Sequence, residues 1–280
     1  MRLVTYRESG GEPRVGRLDG ERVARLEAAS MIEWLSGEGH GEAGAERRLA
    51  EVELLAPVPE PPSVRDFFAY EQHVATGAKL RGGEIPPAWY EVPVFYFSNP
   101  ASIHGPGQAV RKPAATSLLD FELEIAAVIG AGEEIAGFTL LNDWSARDLQ
   151  RQEMSVGLGP AKGKDFAISL GPWLVTPDEL PYRDGRLELE ATASVNGEEL
   201  TRTDAREKHW SWPELVAHSA RDTRLRPGDV IGSGTLNRGC LLELGPLGGE
   251  GGERFLEPGD TVTIAAEGLG ELTSPVTRGV

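Results

Sequence analysis

"LLDFELEIAAVIG", residues 118–130, decides how this chain is read. As a β-strand its side chains alternate between two faces. One face carries Leu119, Phe121, Leu123, Ile125, Ala127 and Ile129; the other opens with Asp120, Glu122 and Glu124 and continues with Ala126 and Val128. Three carboxylates in a row repel one another, and beside an apolar core their desolvation is costly. A divalent cation would relieve the repulsion. Glu122 and Glu124, two residues apart, point to one side of a strand and suit a hard metal. Asp143, in "LLNDWSARDLQ", lies where an apolar strand gives way to a helix, and Asp66, in "SVRDFFAY", opens a predicted helix; both could add oxygen donors. An all-oxygen set favours Mg²⁺, Mn²⁺ or Ca²⁺ over zinc, and the sequence has no Cys/His zinc spacing. Plainer roles fit the same residues: Glu122 and Glu124 as the solvent face of an edge strand, Asp66 and Asp143 as helix N-caps.

Other polar residues gather around these. On a helix, Asp66, Tyr70 and His73 would share one face, and Asp143, Arg147, Gln150 and Arg151 another. Lys164 stands between glycines in "GPAKGKDF", in a chain that has only five lysines among its 28 basic residues. Taken singly, His73 also fits an exposed helix position, Lys164 a solvated loop, and Arg147 a surface salt bridge to Asp143 worth a few tenths of a kcal/mol.

The 280 residues suffice for a large domain plus a small one. A net charge of −16 argues against nucleic acid and against anionic membranes as partners. It leaves room for a small anionic substrate where a metal or arginines reverse the local field. A single cysteine, Cys240, excludes an intrachain disulfide and fits a reducing compartment. There is no apolar stretch of signal-peptide or membrane-spanning length. A soluble, cytoplasmic protein is expected.

Residues 1–57 read as a small N-terminal domain of short strands and one short helix. Within it, Gly39, Gly41 and Gly44 form a G-x-G-x-x-G without the flanking strand that a dinucleotide site needs. "APVPEPPS", 56–63, reads as a Pro-rich connector. Residues 58–280 then show strands at 93–97, 119–130, 137–142, 171–176, 187–195, 229–233, 240–244 and 261–266. Helices are expected near 65–80, 144–154 and 211–221. The pattern predicts an α+β domain with a curled or barrel-like sheet.

"RDFFAYEQHV", "LDFELEIAAVIG", "LLNDWSARDLQ", "GPAKGKDF" and "GDVIGSGT" follow one another in the order and spacing of the fumarylacetoacetate hydrolase superfamily, which residues 62–270 resemble. The resemblance implies an α+β fold, a mixed β-sheet roll or barrel with a small N-terminal domain, and a homodimer or larger assembly. It implies Asp66, Glu122, Glu124 and Asp143 as metal ligands, His73 as the water-activating histidine, and Lys164 as the lysine beside metal and substrate. It also places Arg147, Gln150, Thr235 and Tyr96 along the substrate site. The implied activity is Mg²⁺- (or Mn²⁺/Ca²⁺-) dependent hydrolysis of a C–C bond in a 2,4-dioxo acid. A lyase or isomerase of the same fold is the alternative.

Two departures stand out. Family hydrolases pair the histidine with a glutamate; in one branch it follows three residues later, where this chain has Thr76. In the fumarylacetoacetase branch it comes from the loop after "GT", and "GTLNRGC" offers none. Glu71 and Glu84 are near His73 in sequence only. Phe68 replaces a tyrosine of the fumarylacetoacetase branch. The departures argue against fumarylacetoacetate itself as substrate.

Overall fold

The computed structural model describes residues 1–39, 41–44, 46–80, 82–245 and 254–279. Its centre is the predicted strand. Leu119–Asp120 and Leu123–Ile129 are extended, and Leu123–Ile129 is buried on both faces. Leu123, Ile125, Ala127 and Ile129 pack into one apolar cluster, Ala126 and Val128 into a second on the opposite side. The strand is therefore interior, and the solvent-edge reading of Glu122 and Glu124 fails: they are 4% and 0% exposed.

Leu123–Ile129 pairs antiparallel with Ile135–Asp143 on one side and with Val230–Gly232 on the other. Val230–Gly232 runs parallel to Val64–Phe67, which pairs antiparallel with Phe95–Ser98 at the sheet edge. These belong to a mixed twelve-stranded sheet. A second, five-stranded sheet includes Glu190–Val195, Thr261–Ala266 and Gly270–Arg278. Side chains of both sheets, among them Ile125, Phe138, Ile264 and Leu272, meet in one core. With few helices, this is the α+β mixed-sheet roll expected from the sequence.

Residues 1–57 add strands to the large sheet rather than forming one of their own: Arg2 and Leu3 pair with Val175 and Leu174. The following connector is packed down, with Ala56 and Val58 buried and the Thr5 hydroxyl donating to the Pro57 carbonyl at 2.7 Å.

Two elements differ from expectation. Asp66 lies in the strand Val64–Phe67, and the helix begins at Glu71. Pairing on both sides of Val64–Phe67 overrides the helical spacing, since tertiary partners decide strand formation. Residues 240–244 make one isolated bridge, Glu122 to Cys240, and then the short helix Leu241–Leu244.

The buried Ile125 tests this arrangement. Ile125→Ala is expected to cost about 2–5 kcal/mol. It should lower the urea midpoint without altering the m-value, whereas Ile125→Val should cost about 0.5–1.5 kcal/mol.

Candidate active site

Six segments bring the predicted residues together. Strand pairing carries Asp66, at the register position of Gly232, up to the start of Leu123–Ile129, where Glu124 projects. Asp143 ends the strand Ile135–Asp143, whose Leu141 is the partner of Glu124. Carboxylate oxygens of Asp66, Glu124 and Asp143 lie within 4.8 Å of one another, and all three residues are buried. Gly232 permits this: a methyl group there would overlap Asp66 Oδ1 and come within 3.3 Å of Glu124 Oε2.

Glu122 stands beside this trio in a different role. Its carboxylate pairs with Lys164 and, at 2.8 Å, with Arg147 Nη1. Lys164 also bonds Asp143, so one ammonium bridges the two carboxylates. Arg147 is anchored a second time on Asp120, its Nε donating at 2.8 Å. Asp120 in turn accepts from the backbone N–H groups of Leu241 and Leu242. The third carboxylate of the opening stretch thus fixes the arginine and the turn at Cys240, away from the trio.

Tyr96 donates to Asp143 Oδ2 at 2.6 Å, and the Thr235 hydroxyl to Glu124 Oε1 at 3.4 Å. Gln150 Oε1 accepts from Arg147 at 3.3 Å. A cavity of about 990 Å³ opens over these groups, lined by the predicted residues Asp66, His73, Tyr96, Glu122, Glu124, Arg147, Gln150, Lys164 and Thr235. Its outer part is apolar, with Phe68, Leu80, Val94, Phe95, Met154 and Leu242.

The electrostatics follow from burial and mutual repulsion. Burial, then the Asp143 charge, raises the Asp66 carboxyl well above the ordinary carboxylate range. Burial together with Asp66 and Glu122 does the same to Glu124. Glu122 is buried too, but Lys164, Arg147 and His73 outweigh desolvation and hold it low. Lys164, despite its burial, is held fully protonated by Asp143 and Glu122.

A divalent cation fits this trio on the structure's own terms. Glu124 Oε2 and Asp143 Oδ1 are buried with no hydrogen-bond partner, and such atoms demand one. All donors are oxygens, which suits a hard cation.

His73, on the helix Glu71–Leu80, holds the partner that sequence spacing did not reveal. Its Nδ1 lies 2.9 Å from Glu243 Oε2, while Nε2 faces Glu122 Oε1 at 3.9 Å. The Phe68 ring meets the imidazole edge-on, at 5.3 Å between centroids. Glu243 stands three residues beyond the end of "GTLNRGC", in the short helix Leu241–Leu244. Its sequence signal is a carboxylate within the apolar run "CLLEL". Thr76 bonds only its own helix, at the carbonyl of Gln72, and Glu71 is taken up by the Tyr90 hydroxyl.

A family model described as fumarylacetoacetate (FAA) hydrolase C-terminal matches residues 63–277, and one described as Rv2993c-like, N-terminal, matches residues 1–57. The fumarylacetoacetase of Arabidopsis thaliana is 32% identical over 286 residues, spanning 78% of this chain and 68% of its own. Two solved structures align over essentially the whole of both chains. The 5-carboxymethyl-2-hydroxymuconate delta-isomerase from Mycobacterium smegmatis is 30% identical, with a TM-score of 0.76 and 100% of each chain covered. The 2-hydroxyhepta-2,4-diene-1,7-dioate isomerase from Mycobacterium marinum is 29% identical, with a TM-score of 0.75, covering 99% of this chain and 98% of its own.

Cation binding should register as stability. Mg²⁺ or Mn²⁺ at a hundredfold over its Kd should add about 2.7 kcal/mol to EDTA-stripped protein, and Glu124→Gln should abolish the gain in melting temperature. The effect has a pH sign. Without a cation the raised Asp66 and Glu124 make the folded chain hold more protons than the unfolded one above the ordinary carboxylate range. Stability therefore falls as pH rises through that window. The gain on adding cation should be larger at pH 8 than at pH 5; an equal gain at both would contradict the buried, repelling trio.

Proposed function

The chain belongs to the fumarylacetoacetate hydrolase family, and we propose from that premise that it is a divalent-metal-dependent hydrolase cleaving a C–C bond in 2,4-dioxo acids such as acylpyruvates. The observation that carries the reading is the His73–Glu243 pair at 2.9 Å, facing the carboxylate cluster across the cavity. A Mg²⁺ or Mn²⁺ ion held by Asp66, Glu124 and Asp143, with Glu122 close by, would supply Lewis-acid polarisation of the substrate's oxo-acid oxygens.

The chain's own residues supply the rest. Glu243 accepts the Nδ1 proton of His73, which fixes the tautomer and leaves the Nε2 lone pair toward the cavity. Nε2 takes a proton from water, and the hydroxide attacks the distal carbonyl of the 2,4-dioxo acid. The bond between that carbon and its neighbour breaks. The pyruvate fragment departs with the electron pair and then receives the proton held on His73. Lys164 keeps a full positive charge beside the departing fragment, in a buried setting where it counts for more than in water. Arg147, braced by Asp120, holds Gln150 toward the same space. The small anionic oxo-acid is thereby the expected ligand, in a homodimeric assembly.

A second reading, isomerisation of a 2-hydroxydienoate-type acid, draws support from the two isomerases that match over the whole chain. There His73 would move a proton between the substrate's hydroxyl oxygen and its carbon instead of activating water, and no C–C bond would break.

His73→Ala should lower kcat by about 10²-fold or more. Glu243→Gln should lower kcat by about tenfold or more with little change in KM, because it touches the base and not the substrate. The substrate panel is acetylpyruvate, fumarylacetoacetate, oxaloacetate, a 2-hydroxydienoate, p-nitrophenyl acetate and ATP. EDTA-sensitive release of pyruvate from acetylpyruvate is the expected result. Turnover confined to the dienoate would favour the isomerase, and activity only on the ester or ATP would overturn both readings.

A further inference from the structure

Cys240 gives the catalytic histidine a second neighbour. Its sulfur is completely buried, 3.9 Å from His73 Nδ1 and 3.6 Å from Glu243 Oε2. Together with the 2.9 Å between Nδ1 and Oε2, the three atoms form a compact triangle. A tetrahedral zinc ion with the usual Zn–N, Zn–O and Zn–S bond lengths has ligand-to-ligand edges of about 3.3–3.5 Å. The triangle needs shifts of only a few tenths of an ångström to match. Glu243 adds an independent sign: its side chain is 1% exposed, yet Oε1 has no hydrogen-bond partner. The set shares no residue with the Asp66, Glu124 and Asp143 trio, and its donors differ in kind. One site is all oxygen; the other offers thiolate, imidazole and a single carboxylate, the combination that selects zinc over magnesium.

We propose that His73, Cys240 and Glu243 form a second, inhibitory site for Zn²⁺ or a similarly soft divalent cation, separate from the carboxylate trio. Entry is from the cavity, which His73 and Leu242 both line. Binding displaces one proton from the Cys240 thiol. The Nδ1 proton of His73 moves to Nε2, so the imidazole stays neutral while Nδ1 binds the metal. Nε2 then carries a hydrogen and has no lone pair for a substrate proton. The same ion removes Glu243 from its orienting role. The binding claim stands on the triangle alone; the inhibition rests on His73 acting as the base.

The test separates the two. Equilibrium dialysis against Zn²⁺ should load two equivalents per chain on the native protein and one on Cys240→Ala or Cys240→Ser. Mg²⁺-induced gain in melting temperature should persist in both variants and reports that they fold. Co²⁺ in place of Zn²⁺ should give a near-ultraviolet thiolate-to-cobalt charge-transfer band in the native protein, absent from both variants. These readouts need no substrate. With a turned-over substrate in hand, Zn²⁺ added to the Mg²⁺-saturated enzyme should lower kcat by about tenfold or more, and the Cys240→Ala enzyme should need at least about tenfold more Zn²⁺ for the same loss. Equal stoichiometry in native protein and variants, or no thiolate band, overturns the site. Zn²⁺ inhibition of equal strength with and without Cys240 overturns it as well, since the ion would then be acting at the trio.

Discussion

Lys164 and Arg147 stand among five buried carboxylates, those of Asp66, Asp120, Glu122, Glu124 and Asp143. The two cations neutralise the near side of the cluster: Asp120 and Glu122 through Arg147, Glu122 and Asp143 through Lys164. They make no ion pair with Asp66 or Glu124, whose carboxyls are forced upward by burial, Asp66 further by Asp143 and Glu124 further by Asp66 and Glu122. Carboxylates in that condition either keep protons or take a cation. The remaining negative charge is what suits the site to a metal, with Asp143 shared between Lys164 and the trio.

Holding such a cluster together requires a rigid frame. Repulsion would spread the carboxylates if their strands could move. Each strand is instead pinned by hydrogen-bonded neighbours and by apolar packing on both sides of Leu123–Ile129. Gly232 and Gly234 allow the backbone to come close, and the Gly234 N–H donates to Asp66 Oδ1 at 3.3 Å. A larger residue at either position would collide with the cluster or with the strand carrying Asp66. The cost of assembling like charges is thus met in the folded scaffold before any ligand arrives, which is the condition for electrostatic preorganisation.

How much of this could be read from the sequence depends on how local the signal is. The alternation over 118–130 marks a strand because its period is carried by consecutive residues, while its interior place is set by neighbours on both sides. The same alternation placed Asp120, Glu122 and Glu124 on one face, but it could not show that they part company: Asp120 to Arg147, Glu122 to Lys164 and Arg147, Glu124 to the trio. That division depends on Arg147 and Lys164, which reach the strand from other segments. Asp66 does come to the carboxylate cluster, but not by the helical spacing that suggests it. Its helical spacing to His73 is a coincidence, and the strand pairing with Val230–Gly232 is what positions it. Glu243 was missed because it lies 170 residues from His73.

The placement of Glu243 also changes how the reaction alternatives are weighed. A histidine without a carboxylate partner would have favoured decarboxylation or another reaction that needs no strong base. With the pair present, His73 Nδ1 is held at 2.9 Å by Glu243, and on the proposed reading the choice is which proton Nε2 would remove. The two candidate protons, on water and on the substrate's hydroxyl, make different demands of the pocket: hydrolysis would need room for water beside Nε2, and isomerisation would need the substrate's own atoms there. The outer chamber is apolar, and the cations near the carboxylates are already paired. For the proposed oxo-acid, charge would read the acid end, and the shape of the chamber around Phe68, Leu80 and Met154 would read the other end. On the proposed reading, His73 and Glu243 would bear on the reaction class and the apolar chamber on the substrate, so the two can be tested by different substitutions.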